Sequence, residues 1–251
     1  MKTLAILQAR LRSTRLPAKV LLDLCGATVL QRCLDRVARI QGVDEIVVAT
    51  STAPENELIC MLAKRLGYKC VRGSEKDVLS RYYDAATAAK ADVVMRCTAD
   101  CPLLDPKASS LVVRTFLESQ KTGEPLDYAS NTLERRLPRG LDTEVVSMAA
   151  LTRAHEEAVV DAEREHVTMY VYRRPVEFRC RKVLADLPRD LSHHRWTLDT
   201  LEDYHFLAKL YEALGPEAGA AGMEDVLAVL ERHPEIVAIN AHVAQKSTAP
   251  A

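Results

Sequence analysis

The sequence predicts an α/β protein built on a mostly parallel sheet. Strand-length apolar runs alternate with helical repeats from Leu4 through Cys97. Such βαβ alternation implies parallel strands joined by right-handed crossovers. The chain has 251 residues, 48% hydrophobic and 27% charged, enough for one domain with a sizeable core. Formal net charge is −1, so no overall basic field recruits nucleic acid, and what basicity exists is local.

The elements follow from hydrophobic period and punctuation. Leu4–Leu7 reads as a buried first strand, and Thr28–Ile40 as a helix with Val29, Leu30, Cys33, Leu34 and Val37 on one face. Glu45–Thr50 reads as a second strand. Pro54 opens a helix that runs to Leu66 and that Gly67 stops. Lys69–Arg72, Lys76–Lys90 and Asp92–Cys97 continue as strand, helix and strand. Beyond Pro125 the rhythm loosens, with an irregular polar stretch from Ser130 to Gly140. A strand near Asp142–Ser147, helices near Met148–Val159 and Ala162–Tyr172, and strands at Glu177–Leu184 and His194–Thr197 follow. Helices near Leu201–Leu214 and Glu224–Glu231 close the fold. The expected organisation is one domain over 1–243, with 122–188 an insertion serving as a lid or pairing surface, and a frayed tail at 244–251.

Seven scattered cysteines, with no second pair or neighbouring histidine to complete a zinc spacing, read as structural thiols. The N-terminal apolar run is too short for a signal peptide, and no stretch reaches membrane-spanning length, so a cytoplasmic location is expected.

The chemistry concentrates after the first strand, in Gln8-Ala9-Arg10-Leu11-Arg12-Ser13-Thr14-Arg15-Leu16-Pro17-Ala18-Lys19. Four cations and two hydroxyls occur there without an acid. Open α/β sheets bind ligands at the carboxyl ends of their strands, and arginine forks and lysine point charges suit phosphate. A solvated basic loop is the plainer alternative. Neither a P-loop nor a G-x-G-x-x-G is present.

Two acids stand where strands should end: Asp100 in Thr98-Ala99-Asp100-Cys101-Pro102-Leu103, and Asp199 in Trp196-Thr197-Leu198-Asp199-Thr200. Magnesium, which offsets phosphate charge, takes one or two carboxylates with water and phosphate oxygens. Each acid also has a structural reading: Asp199 with Glu202 as a capping box, Asp100 as a turn residue.

The pattern Q-A-R-x-x-S-x-R-L-P-x-K-V-L resembles the N-terminal signature of the cytidylyltransferases that make CMP-activated sugars. The resemblance is to the branch of spore-coat polysaccharide biosynthesis proteins related to 3-deoxy-manno-octulosonate cytidylyltransferase. T-x-D-x-P-L and W-T-x-D-T-x-E-D resemble that family's two metal-carboxylate motifs. The family pattern has glycine where this chain has Ala18 and Ala99.

The resemblance implies a three-layer α/β/α fold of the nucleotide-diphospho-sugar transferase type, CTP and a sugar as substrates, Mg2+ on Asp100 and Asp199, and a homodimer. It implies catalytic roles for Arg10, Arg15, Lys19 and Asp100. Gln8, Ala9, Arg10, Ser13, Arg15, Lys19, Thr50, Ser74 and Thr98 would bind nucleotide, Thr50 and Ser74 being the candidates near the base. Pro138-Arg139-Gly140-Leu141-Asp142-Thr143-Glu144 and Arg164-Glu165-His166 resemble further signatures, which assigns Arg139, Asp142, Glu144, Arg164, Glu165 and His166 to the second substrate. The expected reaction is CTP plus an acidic or modified sugar giving CMP-sugar and pyrophosphate, for surface polysaccharide or glycan synthesis. The other classes are a glycosyltransferase of the same fold, which Ala99-Asp100-Cys101 disfavours by supplying no D-x-D, and a non-catalytic nucleotide-binding subunit.

Overall fold

A computed structural model describes residues 1–185 and 189–245. Its centre is one seven-stranded sheet. In chain order the strands are β1 (Thr3–Gln8), β2 (Glu45–Ser51), β3 (Lys69–Gly73), β4 (Val93–Thr98), β5 (Tyr128–Ser130), β6 (Glu144–Ser147) and β7 (Cys180–Lys182). Their order across the sheet is β3-β2-β1-β4-β6-β5-β7. The first four are parallel, β6 runs antiparallel to β4 and β5, and β7 is parallel to β5. Of the expected insertion, the described residues 122–185 therefore add strands to the common sheet.

Helices cover both faces. The larger apolar cluster lies under α1 (Val29–Val37), α2 (Glu57–Arg65), α4 (Pro106–Ser119), α8 (Leu201–Leu214) and α9 (Met223–Arg232). The smaller lies under α3 (Val78–Ala89), α5 (Met148–Glu157) and α7 (Met169–Tyr172). Two short helices, α6 (Asp161–Glu165) and α10 (Pro234–Ala238), complete the set. The expected α/β/α layering is the layering observed. Local chemistry sets the helix starts: Thr28 accepts from the Gln31 amide at 3.2 Å, Asp77 from Ser80 at 2.9 Å and Asp105 from Ala108 at 2.7 Å.

The sheet order places the site. The chain moves outward from β1 through β2 to β3, then crosses back to lay β4 on the other side of β1. Loops leaving β1 and β4 diverge there, and a crevice opens between their carboxyl ends. Both sequence-predicted centres, the basic loop and Asp100, flank that crevice.

Several boundaries differ from the sequence expectation. α4, β5 and α10 were not anticipated. The expected helix over 162–172 is two pieces, α6 and α7, parted at His166, where φ is −101° and ψ 51°. Between the pieces Thr168, the residue that opens α7, donates its hydroxyl to buried Glu144. The strand expected at 177–184 shortens to Cys180–Lys182, and that at 194–197 is a single bridge between Arg139 and Arg195. α8 is capped by a reciprocal Thr200–Asp203 box in place of the Asp199–Glu202 pair. The structure pairs Cys60 of α2 with Cys70 of β3 as a disulfide, where free thiols were expected, because α2 packs beside β3 and sets their Cα atoms 5.3 Å apart. The expected tail lies, from residue 246 on, outside the described residues.

Ala18 ends the β1 loop in the left-handed region, at φ 57° and ψ 19°. A Cβ is disfavoured there, which gives a physical reason for the glycine of the family pattern. Ala99, by contrast, is buried with an ordinary φ. Ala18→Gly is predicted to raise unfolding free energy by about 0.5–1 kcal/mol in urea titrations, the relieved strain exceeding the added chain entropy. A loss of stability would contradict this.

Candidate active site

The β1 loop is folded back on itself and pinned at its base. The Leu11 carbonyl accepts the Ala18 amide at 2.8 Å, and the Leu11 amide donates to Asn56 Oδ1 at 2.9 Å. Asn56 is fully buried and held by Ser51 Oγ at 2.7 Å. The left-handed Ala18 then launches a short 3-10 turn, Lys19–Leu21, which sends Lys19 into the crevice.

Lys19 Nζ lies 2.9 Å from Asp100 Oδ2, 2.8 Å from Asp199 Oδ1 and 2.7 Å from the Leu198 carbonyl. One ammonium thus joins the end of β4 to the segment entering α8. Arg15 reaches Asp199 Oδ2 at 3.0 Å, and Arg195 reaches the same oxygen at 3.3 Å. Burial tends to lower the Lys19 pKa, but the two carboxylates outweigh it and hold the ammonium above its ordinary value. Burial pushes Asp100 the other way. The Lys19 charge, followed by hydrogen bonds from Thr98, Lys19 and Cys101, prevails and brings Asp100 to about 2.

Two clefts meet at this pair. The first, about 870 Å³, is lined by Gln8, Ala9, Arg10, Ser13, Arg15, Lys19, Thr98, Asp100 and Asp199 among others. With Glu165 and His166, which also line it, eleven of the predicted residues converge on one space. Arg10 is exposed and has no carboxylate partner among the described residues, whereas Arg12 pairs with Glu55 and Glu75. The second cleft, about 630 Å³, contains Arg139, Asp142, Glu144 and His166. Arg96, Thr98, Asp100, His166 and Asp199 line both. The shared wall is where a group bound in one cleft can meet a group bound in the other.

Three predicted residues lie elsewhere. Thr50 is buried at the end of β2, and Ser74 sits in the exposed loop after β3, accepting from the Asp77 amide at 3.0 Å; neither lines either cleft. Arg164 turns away to pair with Asp77, the cap of α3, and donates to the His155 carbonyl at 2.7 Å. Glu144 is at the second cleft but its oxygens are engaged by Arg96, Tyr128 at 2.8 Å and Thr168. Burial would raise its pKa, yet Arg96 and these hydroxyls hold it below the usual range. Glu144 is thus placed to hold Arg96 in the shared wall. Burial lowers the His166 pKa, leaving its imidazole neutral near pH 7.

Sequence reading missed Arg96, Arg135 and Arg195. Arg96 carried a signal, an arginine within the otherwise apolar run of β4. Arg135 binds Asp142 through two bonds of 2.6 and 2.8 Å in the second cleft. No group of three or more His, Cys, Asp or Glu suited to a metal occurs among the described residues, so the acids here are two carboxylates and not a closed cage.

A mostly parallel sheet carries a cationic β1 loop facing paired carboxylates at its switch point, and comparison with known proteins identifies the chain as a nucleotidyltransferase. The sequence model of the family described as cytidylyltransferase matches residues 4–232, and the chain belongs to that family. The chain is 30% identical to the spore coat polysaccharide biosynthesis protein SpsF of Bacillus subtilis, over 92% of this chain and 95% of that protein. It is 35% identical to the uncharacterized protein MJ1063 of Methanocaldococcus jannaschii, over 98% of each. A solved cytidylyltransferase from Leptospira borgpetersenii superposes with a TM-score of 0.88 at 30% identity, covering 98% of this chain and all of that one.

The Lys19 bridge gives a pH test. Asp100, held near 2 against about 3.9 in the unfolded chain, contributes stability that is complete above pH 4 and is lost as pH falls toward 2. Lys19→Ala leaves two adjoining carboxylates without their shared cation. We predict a deficit of about 2–3 kcal/mol at pH 7 in urea unfolding, narrowing as pH falls from about 4 to 2. A pH-independent deficit would contradict the assignment.

Proposed function

We propose that this cytidylyltransferase transfers CMP from CTP to a hydroxyl of an acidic or modified sugar, releasing pyrophosphate, in the synthesis of a surface polysaccharide or glycan. The observation that carries this reading is the pair of clefts sharing Asp100 and Asp199: one is walled by the cationic β1 loop, the other by Arg139, Arg135 and hydroxyl-bearing side chains. A triphosphate fits the first and a polyhydroxyl acceptor the second. SpsF, by its name a protein of spore-coat polysaccharide synthesis, supports a sugar as the acceptor.

Arg10, Arg15 and Lys19 would grip the triphosphate and stabilise charge on the departing pyrophosphate. The sugar oxygen forms a bond to the α-phosphorus, the α–β phosphoanhydride bond breaks in line with it, and the hydroxyl proton leaves to solvent. Catalysis then rests on positioning and charge stabilisation. The donor set suits magnesium. Asp100 and Asp199 each present an oxygen to one point, the Lys19 ammonium, and a hard cation that keeps water and phosphate oxygens needs no further acid. When bound, magnesium would neutralise phosphate charge and polarise the α-phosphoryl group. Lys19, which lines the same cleft, would meet phosphate oxygens. Arg139, which lines the second cleft, would meet an anionic or polar group of the sugar.

The test is thermal-shift binding of CTP, UTP, ATP and GTP with and without magnesium, followed by pyrophosphate release over a panel of sugars. A ligand at a hundredfold excess over Kd stabilises by about 2.7 kcal/mol, roughly 5–10 °C for a chain of this size. The reading predicts such a shift for CTP with magnesium and little for the other nucleotides. No shift with any nucleotide would contradict it, and binding without pyrophosphate release on any sugar would favour a non-catalytic subunit. Lys19→Ala and Asp100→Asn should each lower kcat/KM by at least about 100-fold while the chain stays folded at neutral pH. Wild-type rates in either variant would overturn the mechanism.

A further inference from the structure

The segment that carries Asp199 is held by a buried network larger than a helix start requires. Asp203, in the first turn of α8, is completely buried. Its Oδ2 accepts the backbone amides of Asp199 at 2.9 Å and Thr200 at 3.1 Å. Arg195 donates to both carboxylate oxygens at 2.8 Å and also reaches the side chain of Asp199 at 3.3 Å. Asn240, just past α10 and 3% exposed, closes the set: its Nδ2 donates to Asp203 Oδ1 at 2.9 Å and to the Arg195 carbonyl at 3.0 Å.

Capping explains only part of this. The Thr200–Asp203 box accounts for the bond from the Thr200 amide and the reciprocal bond from the Asp203 amide to Thr200. A cap needs neither a buried two-pronged arginine nor an asparagine from another helix. Of the remaining bonds, one holds the backbone amide of Asp199 and one its carboxylate, and the others tie Arg195, Asp203 and Asn240 to one another. Groups that hydrogen-bond a metal-binding carboxylate fix its orientation, and losing one typically weakens metal affinity or activity 10- to 100-fold.

We propose that Arg195, Asp203 and Asn240 form a clamp of positioning residues that aims the Asp199 carboxylate at the divalent cation. The C-terminal α10 segment is thereby part of the catalytic apparatus. The inference rests on the proposed function of the site and goes beyond the family match, which ends at residue 232, before Asn240.

The test uses the full chain with Asn240→Ala and Asp203→Asn. Mn2+ binding is followed by electron paramagnetic resonance at saturating CTP, beside metal-free CTP binding, melting temperature and steady-state kinetics. The clamp predicts Mn2+ affinity reduced by about tenfold in Asn240→Ala, with metal-free CTP affinity unchanged to within about twofold. It also predicts kcat falling with little change in KM for CTP. Asn240→Ala removes one neutral side chain from the network and decides the matter should Asp203→Asn fail to fold. A lowered melting temperature with wild-type Mn2+ affinity would overturn the clamp and leave a structural cap. Absence of Mn2+ binding in the wild-type chain would overturn the reading of the site and the clamp together.

Discussion

One ammonium shared by two carboxylates organises the site. Lys19, Asp100 and Asp199 belong to segments 81 and 180 residues apart in the chain, and they meet within 2.9 Å. Two partly buried carboxylates side by side repel and are poorly solvated. A single cation between them offsets both costs, so the lysine proposed to meet phosphate is also an organiser of the fold. The β1 loop, the end of β4 and the entry to α8 are thereby fixed relative to one another. The two clefts share a wall because of that fixation.

The rest of the site is arranged so that most of the positive charge is committed before any ligand arrives. Arg96 is held by Glu144, Arg135 by Asp142, Arg195 by Asp203, and Arg15 by Asp199. Such pairing orders long side chains that would otherwise lose rotamer freedom on binding. Arg10, without an acidic partner among the described residues, is left for an incoming anion. On the proposed reading, a triphosphate would meet Arg15 and Arg96 already ordered at the first cleft, an arrangement favouring charge stabilisation without large rearrangement.

How much of this was legible in the sequence depends on the range of the cause. β1 to β4 and the three helices between them were readable because their residues carry the hydrophobic period locally, and Gly67 carries a helix stop. The basic loop and the two aspartates were readable as motifs, and eleven of the predicted residues meet in one cleft. What failed was set by distant partners. β5 is three residues long and exists because β6 and β7 flank it, so its own period says nothing. The helix over 162–172 breaks at His166, just before Thr168 reaches Glu144. Arg164 looked like a site residue by its place in a motif, yet its charge is used on Asp77 across the fold. Asp203 was read only as a motif letter, and Asn240 carried no local signal, since its role depends on a carboxylate from another helix. Ala18 shows the opposite case: its φ could not be read from sequence, but the glycine of the family pattern pointed to the backbone state it adopts.

On the proposed reading, the place held by the Lys19 ammonium is where a divalent cation and the triphosphate converge. A crystal structure of the chain with CTP and Mn2+, with anomalous scattering to locate the metal, tests it most directly. The account predicts an anomalous peak bound by oxygens of Asp100 and Asp199, with Lys19 moved off the carboxylates and onto phosphate. Nucleotide bound with Lys19 still bridging the two aspartates, and no metal between them, would contradict it.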